Sequence, residues 1–265
     1  MRAEQNEIVE GFGWIGRRTP TVADLRLTSP DRPLSIAEQI ADRLADGIIR
    51  NEIHEGSWLR EVSLAERFTV SRAPIREAFR LLESDDLLEL HANRGAMVSR
   101  LSRSDIWQVG FISEALVEPS VRVLVEGWSE SVRDAYLQAA IRIAAGAGES
   151  DGATMALNMA IHSLWCNRAG VGPKLERITR MMFRQTLRYT AAGLLEKQDR
   201  MQAAEAIRAF ATAGANGDST RSAAIYLDIS REMHRRGWER HIAERAEATA
   251  KVKRVSKKAK ASAAA

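Results

Sequence analysis

Three arginines at helical spacing define the chemistry offered near the N-terminal end of this chain. Arg72, Arg76 and Arg80 recur every four residues, so on a helix they share one face. A guanidinium fork matches the O6 and N7 of guanine and also binds phosphate oxygens. Ser71, Arg72, Ala73 and Arg76 stand at the start of that segment, the end that faces base edges when a helix enters a major groove. The Ser71 hydroxyl can cap the helix and donate to a phosphate. The acids Glu83, Asp85 and Asp86 fall at the far end. Arg94-Gly95 follows: the glycine permits a tight turn, and the arginine can lie in an adjacent groove or on phosphate. Three arginines on a merely solvated helix would look the same, so the surrounding elements have to decide.

Other chemistry is sparse. The single cysteine, Cys166, excludes an internal disulfide and points to a reducing cytoplasm. It sits in Ser163-Leu164-Trp165-Cys166 on a helical stretch, where a small core residue is the expected role. Gly-rich phosphate loops, a nucleophile elbow and paired carboxylates at catalytic spacing are absent, which argues against an enzyme. No apolar run approaches the roughly 18 residues of a membrane span, and the acidic start, Met1 to Glu7, lacks the features of a secretion signal. The formal charge is +4, but removing the six basic residues of 251–260 takes it to −2. Bulk charge therefore says nothing about nucleic acid, and only placement can.

Residues 1–33, punctuated by Gly11, Gly13, Gly16, Pro20, Pro30 and Pro33, read as an irregular arm. Ile36, Ile40, Leu44 and Ile48 then give an amphipathic helix expected to end near Glu55-Gly56. A short helix over 63–68 is expected with Ser63 as its cap, and a second over 71–84 with Pro74 in its first turn. Ile75, Ala78, Phe79 and Leu82 supply its buried face. Leu87–Leu90 and Ala96–Val98 flank Asn93-Arg94-Gly95 as a β-hairpin. Beyond Ser102 the pattern is helical, with helices over about 104–127, 130–146, 152–168, 173–193, 198–214 and 218–246. Helix, short helix, turn, helix and hairpin is the order of a winged helix.

Ser71-Arg72-Ala73-Pro74-Ile75-Arg76-Glu77-Ala78 resembles the recognition-helix signature of the GntR family of regulators. Glu61, Leu64-Ala65-Glu66 and Val70 match the segment before it, and Asn93 to Val98 resembles the family's wing. The resemblance covers about 34–100, with Glu55-Gly56 where Pro-Gly is usual. It implies DNA contacts from Ser71, Arg72, Arg76 and the wing at Arg94-Gly95, and a homodimer on an inverted repeat. The helical remainder resembles the FadR-type (FCD) C-terminal domain, chiefly in helix count, length and the segment Asp105-Ile106 to Glu118-Pro119.

Many such domains hold a divalent metal, and with it a carboxylate effector, through one Asp and three His. Here Asn158 stands for the Asp, His162 is present, and the regions of the two later histidines, Ala204–Ile207 and Asp228–Ile229, contain none. Glu114 occupies the place of a frequent Arg, while His234 and His241 come late. No metal or cofactor is therefore expected. His162 reads first as a core histidine, and Asn158, His162, Glu114 and Asp228 are the residues left for an effector pocket. Arg142, Arg177, Arg184, Arg188 and Tyr189 are either an anion pocket or surface groups.

The expected protein is mainly α, with an arm at 1–33, a winged helix-turn-helix at 34–101, an all-helical effector and dimerisation domain at 102–248, and a disordered basic tail at 249–265. The function expected is a cytoplasmic, dimeric repressor of operator DNA, released by a small carboxylate-type effector. The alternatives are an architectural DNA-binding protein whose helical half only dimerises, and an all-α enzyme.

Overall fold

The computed structural model describes residues 9–10, 13, 15–26, 33–92, 94–100, 102–127, 129–170 and 172–262. Asn93 of the wing turn, and parts of the arm and the tail, lie outside the described residues.

Helix α1 (Ile36–Ile49) opens with a capping box. The Ser35 hydroxyl accepts from the Glu38 amide and the Glu38 carboxylate accepts from the Ser35 amide. It stops at Ile49, earlier than expected near Glu55. Asn51 takes a left-handed conformation, and the Glu52 and Ile53 amides fold back onto the Gly47 carbonyl.

Helix α2 (Glu61–Phe68) starts two residues before the expected Ser63 cap: Arg60 is the N-cap residue and Ser63 lies inside the helix. Helix α3 (Arg72–Ser84) follows a turn in which Thr69 is left-handed. Ile75, Ala78, Phe79 and Leu82 are all buried on α1 and the sheet, the stripe expected from their spacing.

The sheet has three antiparallel strands in the order β1-β3-β2: β1 (Trp58–Leu59), β2 (Leu88–His91) and β3 (Gly95–Val98). Strand β1 extends the expected hairpin, pairing Trp58 with Met97 and Leu59 with Ala96. The β2–β3 register sets His91 opposite Gly95. Gly95 has φ +95°, and a Cβ there would collide with the Leu59 carbonyl oxygen. Both facts require glycine at the wing.

Six helices make the second unit: α4 (Arg103–Gly127), α5 (Glu130–Gly146), α6 (Gly152–Gly170), α7 (Pro173–Gly193), α8 (Lys197–Ala215) and α9 (Ser219–Ser262). Leu157, Ile161 and Leu164 of α6 sit at its centre, against Tyr136 and Ile143 of α5 and Ile207 and Phe210 of α8. Gly237 lets α9 approach α7 so closely that a Cβ would overlap the Tyr189 carbonyl. Helix α9 continues to Ser262, past the expected end near 246 and through the segment expected to be disordered. The Ala and Lys that fill that segment are good helix formers.

The arm is also more ordered than its composition suggested. Ile15, Val22 and Leu25 are fully buried, and Val22–Arg26 forms a 3₁₀ turn. The Val22 amide donates to Asp46 of α1, and the Ile15 carbonyl accepts from Arg142 of α5. These residues thus pin the arm to both units.

Candidate nucleic-acid interface

Helix α3 presents Ser71, Arg72, Ala73, Arg76 and Arg80 to solvent. Ser71 is the N-cap residue in an extended conformation, but its hydroxyl makes no capping bond. The cap expected from sequence is therefore one of position only, and the hydroxyl is left for an external acceptor.

Arg76 Nε donates to Glu61 at 2.8 Å. Such an exposed pair adds little stability, and both of its residues line a groove beside α3. That groove, of about 1060 Å³, gathers Arg76 and Arg80 from α3, Arg94 from the wing, and Arg60, Trp58 and His91. The Trp58 and His91 rings lie 4.9 Å apart on the sheet. Arg60 was not singled out by sequence reasoning: it stands alone at a helix start, and only the two-residue strand before it brings it beside the wing. Four cations around one concavity, next to an exposed helix N-terminus, suit a polyanion that enters between helix and wing.

The four residues considered for an effector do not converge. Glu114 is clamped by Arg231 through both carboxylate oxygens, at 2.7 and 3.0 Å. Asp228 is exposed. Asn158 turns its carbonyl to the Gly16 amide.

His162 lines a cavity, of about 60 Å³, in the helical core, with Ser163, Phe183, Phe210, Tyr226 and His234. Its Nε2 is 3.3 Å from the Tyr136 carbonyl and its ring stacks on Tyr136 at 4.8 Å. Burial pushes its pKa down to about 4, so the ring is neutral at pH 7. Among the described residues no three His, Cys, Asp or Glu side chains converge as metal ligands. A single neutral imidazole whose nitrogen faces a backbone carbonyl does not fit the divalent ion of related domains. Cys166 is buried, and burial pushes its thiol well up, as befits a core residue.

Among the described residues, no helix is long and apolar enough to cross a membrane. Arg184, Gln185 and Arg188 of α7 all reach the winged helix: Arg184 pairs with Asp42 and Asp85, Gln185 donates to Asp86, and Arg188 donates to the Ser99 carbonyl. Sequence spacing could not reveal these contacts, because their partners lie some 90 to 140 residues away.

The family model for "Bacterial regulatory proteins, gntR family" matches residues 36–98. Curated relatives include the HTH-type transcriptional repressor RspR of Escherichia coli K12, 33% identical over 88 residues, or 33% of this chain and 38% of that protein. The gluconate operon transcriptional repressor of Bacillus subtilis is 29% identical over 112 residues, 39% of this chain and 44% of the relative. The chain thus spans less than half the length of these relatives. Among solved structures, E. coli McbR/YncC superposes with a TM-score of 0.67 at 17% identity, over 79% of this chain and all of that one. A putative GntR regulator from Rhodococcus sp. RHA1 gives 0.64 at 17% identity, over 78% and 99%. At such identities these two likenesses carry the fold, and they carry it through both units. The winged helix at 36–98 is thus similar to the DNA-binding domain of the gntR family of bacterial regulatory proteins, and a helical bundle lies behind it.

Proposed function

We propose that the chain is a sequence-specific DNA-binding transcriptional repressor that binds an inverted-repeat operator as a homodimer and is released by a small effector. The carrying observation is the exposed Arg72–Arg76–Arg80 row on α3 beside the groove that also holds Arg60 and Arg94. In this reading α3 enters the major groove with Arg72 and Arg76 on base edges. Ser71, Arg80 and the helix N-terminus meet phosphates, and Arg94-Gly95 of the wing follows the backbone or the adjacent groove. The repressor names of RspR and the gluconate operon regulator favour repression.

Dimerisation is assigned to the helical unit. On α4, Trp107 and Phe111 stack at 5.6 Å and are 67% and 62% exposed. Ile112 and Val123 on the same helix are exposed as well. An apolar surface of this kind calls for a partner, and a second copy would set two α3 helices on half-sites about one helical turn apart.

Selection of bound duplexes from a random pool by the full chain tests the reading. The expected result is an enriched inverted repeat that a Trp107→Ala, Phe111→Ala double variant binds only as single half-sites. Recovery of every sequence alike would instead favour an architectural role.

A further inference from the structure

Between the two units lies a cleft of about 780 Å³ that the DNA-binding surface does not use. One wall is the end of α1 and the segment after it, through Ile49, Ile53 and His54; the other is the start of α6 and the end of α7. Arg188 of α7 and Arg100, just after β3, both line it.

Arg188 is the unusual member. Its Nη2 donates to the Ser99 carbonyl at 2.9 Å, and the Tyr189 ring lies 5.6 Å from its guanidinium carbon. Its Nε and Nη1 are shielded from solvent and have no hydrogen-bond acceptor. A half-buried cation with two shielded, unmet donors is costly, and burial correspondingly pushes its pKa down. Tyr189 and Glu55 are the neighbours that act on it electrostatically, and an acceptor carried by an occupant of the cleft would meet these donors once the side chain turns toward it.

The remaining lining fixes the chemistry of that occupant. Ile49, Ile53, Ala153, Ala192 and Leu195 offer apolar surface. Glu52, Glu55 and Asp151 also line the cleft. Asp151 is 3.6 Å from Arg50, which Asp46 also holds at 2.8 Å, while Glu55 acts electrostatically on Arg188. These three carboxylates are matched by Arg50, Arg100 and Arg188, so the lining is formally neutral and favours an occupant of low charge over a multiply charged anion. This leaves room for a single negative charge at Arg188 with an apolar body along the aliphatic wall.

We infer that this interdomain cleft binds a small organic monoanion, a carboxylate carried on an apolar body, with Arg188 as its principal charge partner. The inference deepens the effector part of the repressor reading and rests on it only for the regulatory consequence. Because the occupant touches α1 of the winged helix and α7 of the helical unit at once, its binding changes how the two are held together.

The test is calorimetric titration of the full chain with benzoate, compared with benzyl alcohol, which keeps the ring and lacks the charge, and with inorganic phosphate. Saturable binding of benzoate alone is expected. Arg188→Met should weaken it about tenfold or more, the scale of a hydrogen bond to a charged group. Glu52→Gln, at an exposed residue, should tighten it by removing a repelling charge. Leu195→Asp, also exposed, should weaken it, and serves if Arg188→Met does not fold. Absence of benzoate binding, equal binding of benzyl alcohol, or indifference to these substitutions would overturn the proposal. Gel shifts on the same samples without benzoate separate the two readings. A chain that binds operator but not benzoate loses only the cleft site. One that binds benzoate but no DNA loses only the repressor.

Discussion

Arg184 of the helical unit forms an ion pair with Asp85, the residue that ends the α3 helix carrying Arg72, Arg76 and Arg80. The same guanidinium donates to Asp42 of α1 at 2.8 Å, and the side chains of Arg184 and Asp42 are almost fully buried. Arg26 of the arm shares Asp42 at 3.0 Å. One buried arginine thus joins the first helix of the winged domain to the end of its third. Removing Arg184 leaves the buried Asp42 with Arg26 as its remaining cation and takes from Asp85 this ion pair. Arg184→Leu should cost about 3 kcal/mol or more of stability, read as a shift in urea midpoint. A change within a few tenths of a kcal/mol would mean that water already solvates these carboxylates.

His162 gives the fold a pH dependence. Its pKa falls from 6.5 to about 4 on folding because burial disfavours the charged ring. The unfolded chain therefore takes up a proton between these values while the folded chain does not. The stability conferred by the neutral ring is complete above pH 6.5 and is lost as pH falls toward 4, by on the order of 3 kcal/mol. His162→Phe, which can keep the stacking on Tyr136, should flatten the stability profile between pH 7 and 4.5. Equal slopes in both proteins would show that His162 titrates normally.

Gly95 is the weak point of the wing. Its φ of +95° and the Leu59 carbonyl beside it exclude a Cβ. Gly95→Ala should lower stability by about 1–3 kcal/mol and should weaken operator binding further by moving Arg94. A variant with full stability but poor DNA binding would show that the strain is relieved locally at the wing's expense.

The recognition helix was legible because everything that specifies it is local: the four-residue arginine spacing, the Ile75–Ala78–Phe79–Leu82 stripe and Pro74 in the first turn. The six-helix unit was legible for the same reason. Strand β1 was missed because two residues, Trp58 and Leu59, show no periodicity, and only their pairing with β3 makes them a strand. The docking of Ile15, Val22 and Leu25 was invisible because isolated apolar residues among Gly, Pro and Arg carry no pattern. The helix end at Ile49 was overrun because the reversal that stops it rests on backbone bonds to Gly47. The Arg184 and Arg188 contacts had no signal at all, being long-range pairings of common residue types.

The central claim is that α3 reads base sequence. Its most direct test is competition binding of the full chain to its selected operator against a scrambled duplex, repeated for Arg72→Ala and Arg76→Ala. Loss of a bidentate guanine contact should reduce discrimination by about 1–3 kcal/mol in each variant. Arg80→Ala should weaken both duplexes alike, as a phosphate contact does. Unchanged affinity and discrimination in both Arg72→Ala and Arg76→Ala would contradict the assignment of α3 as the reading helix.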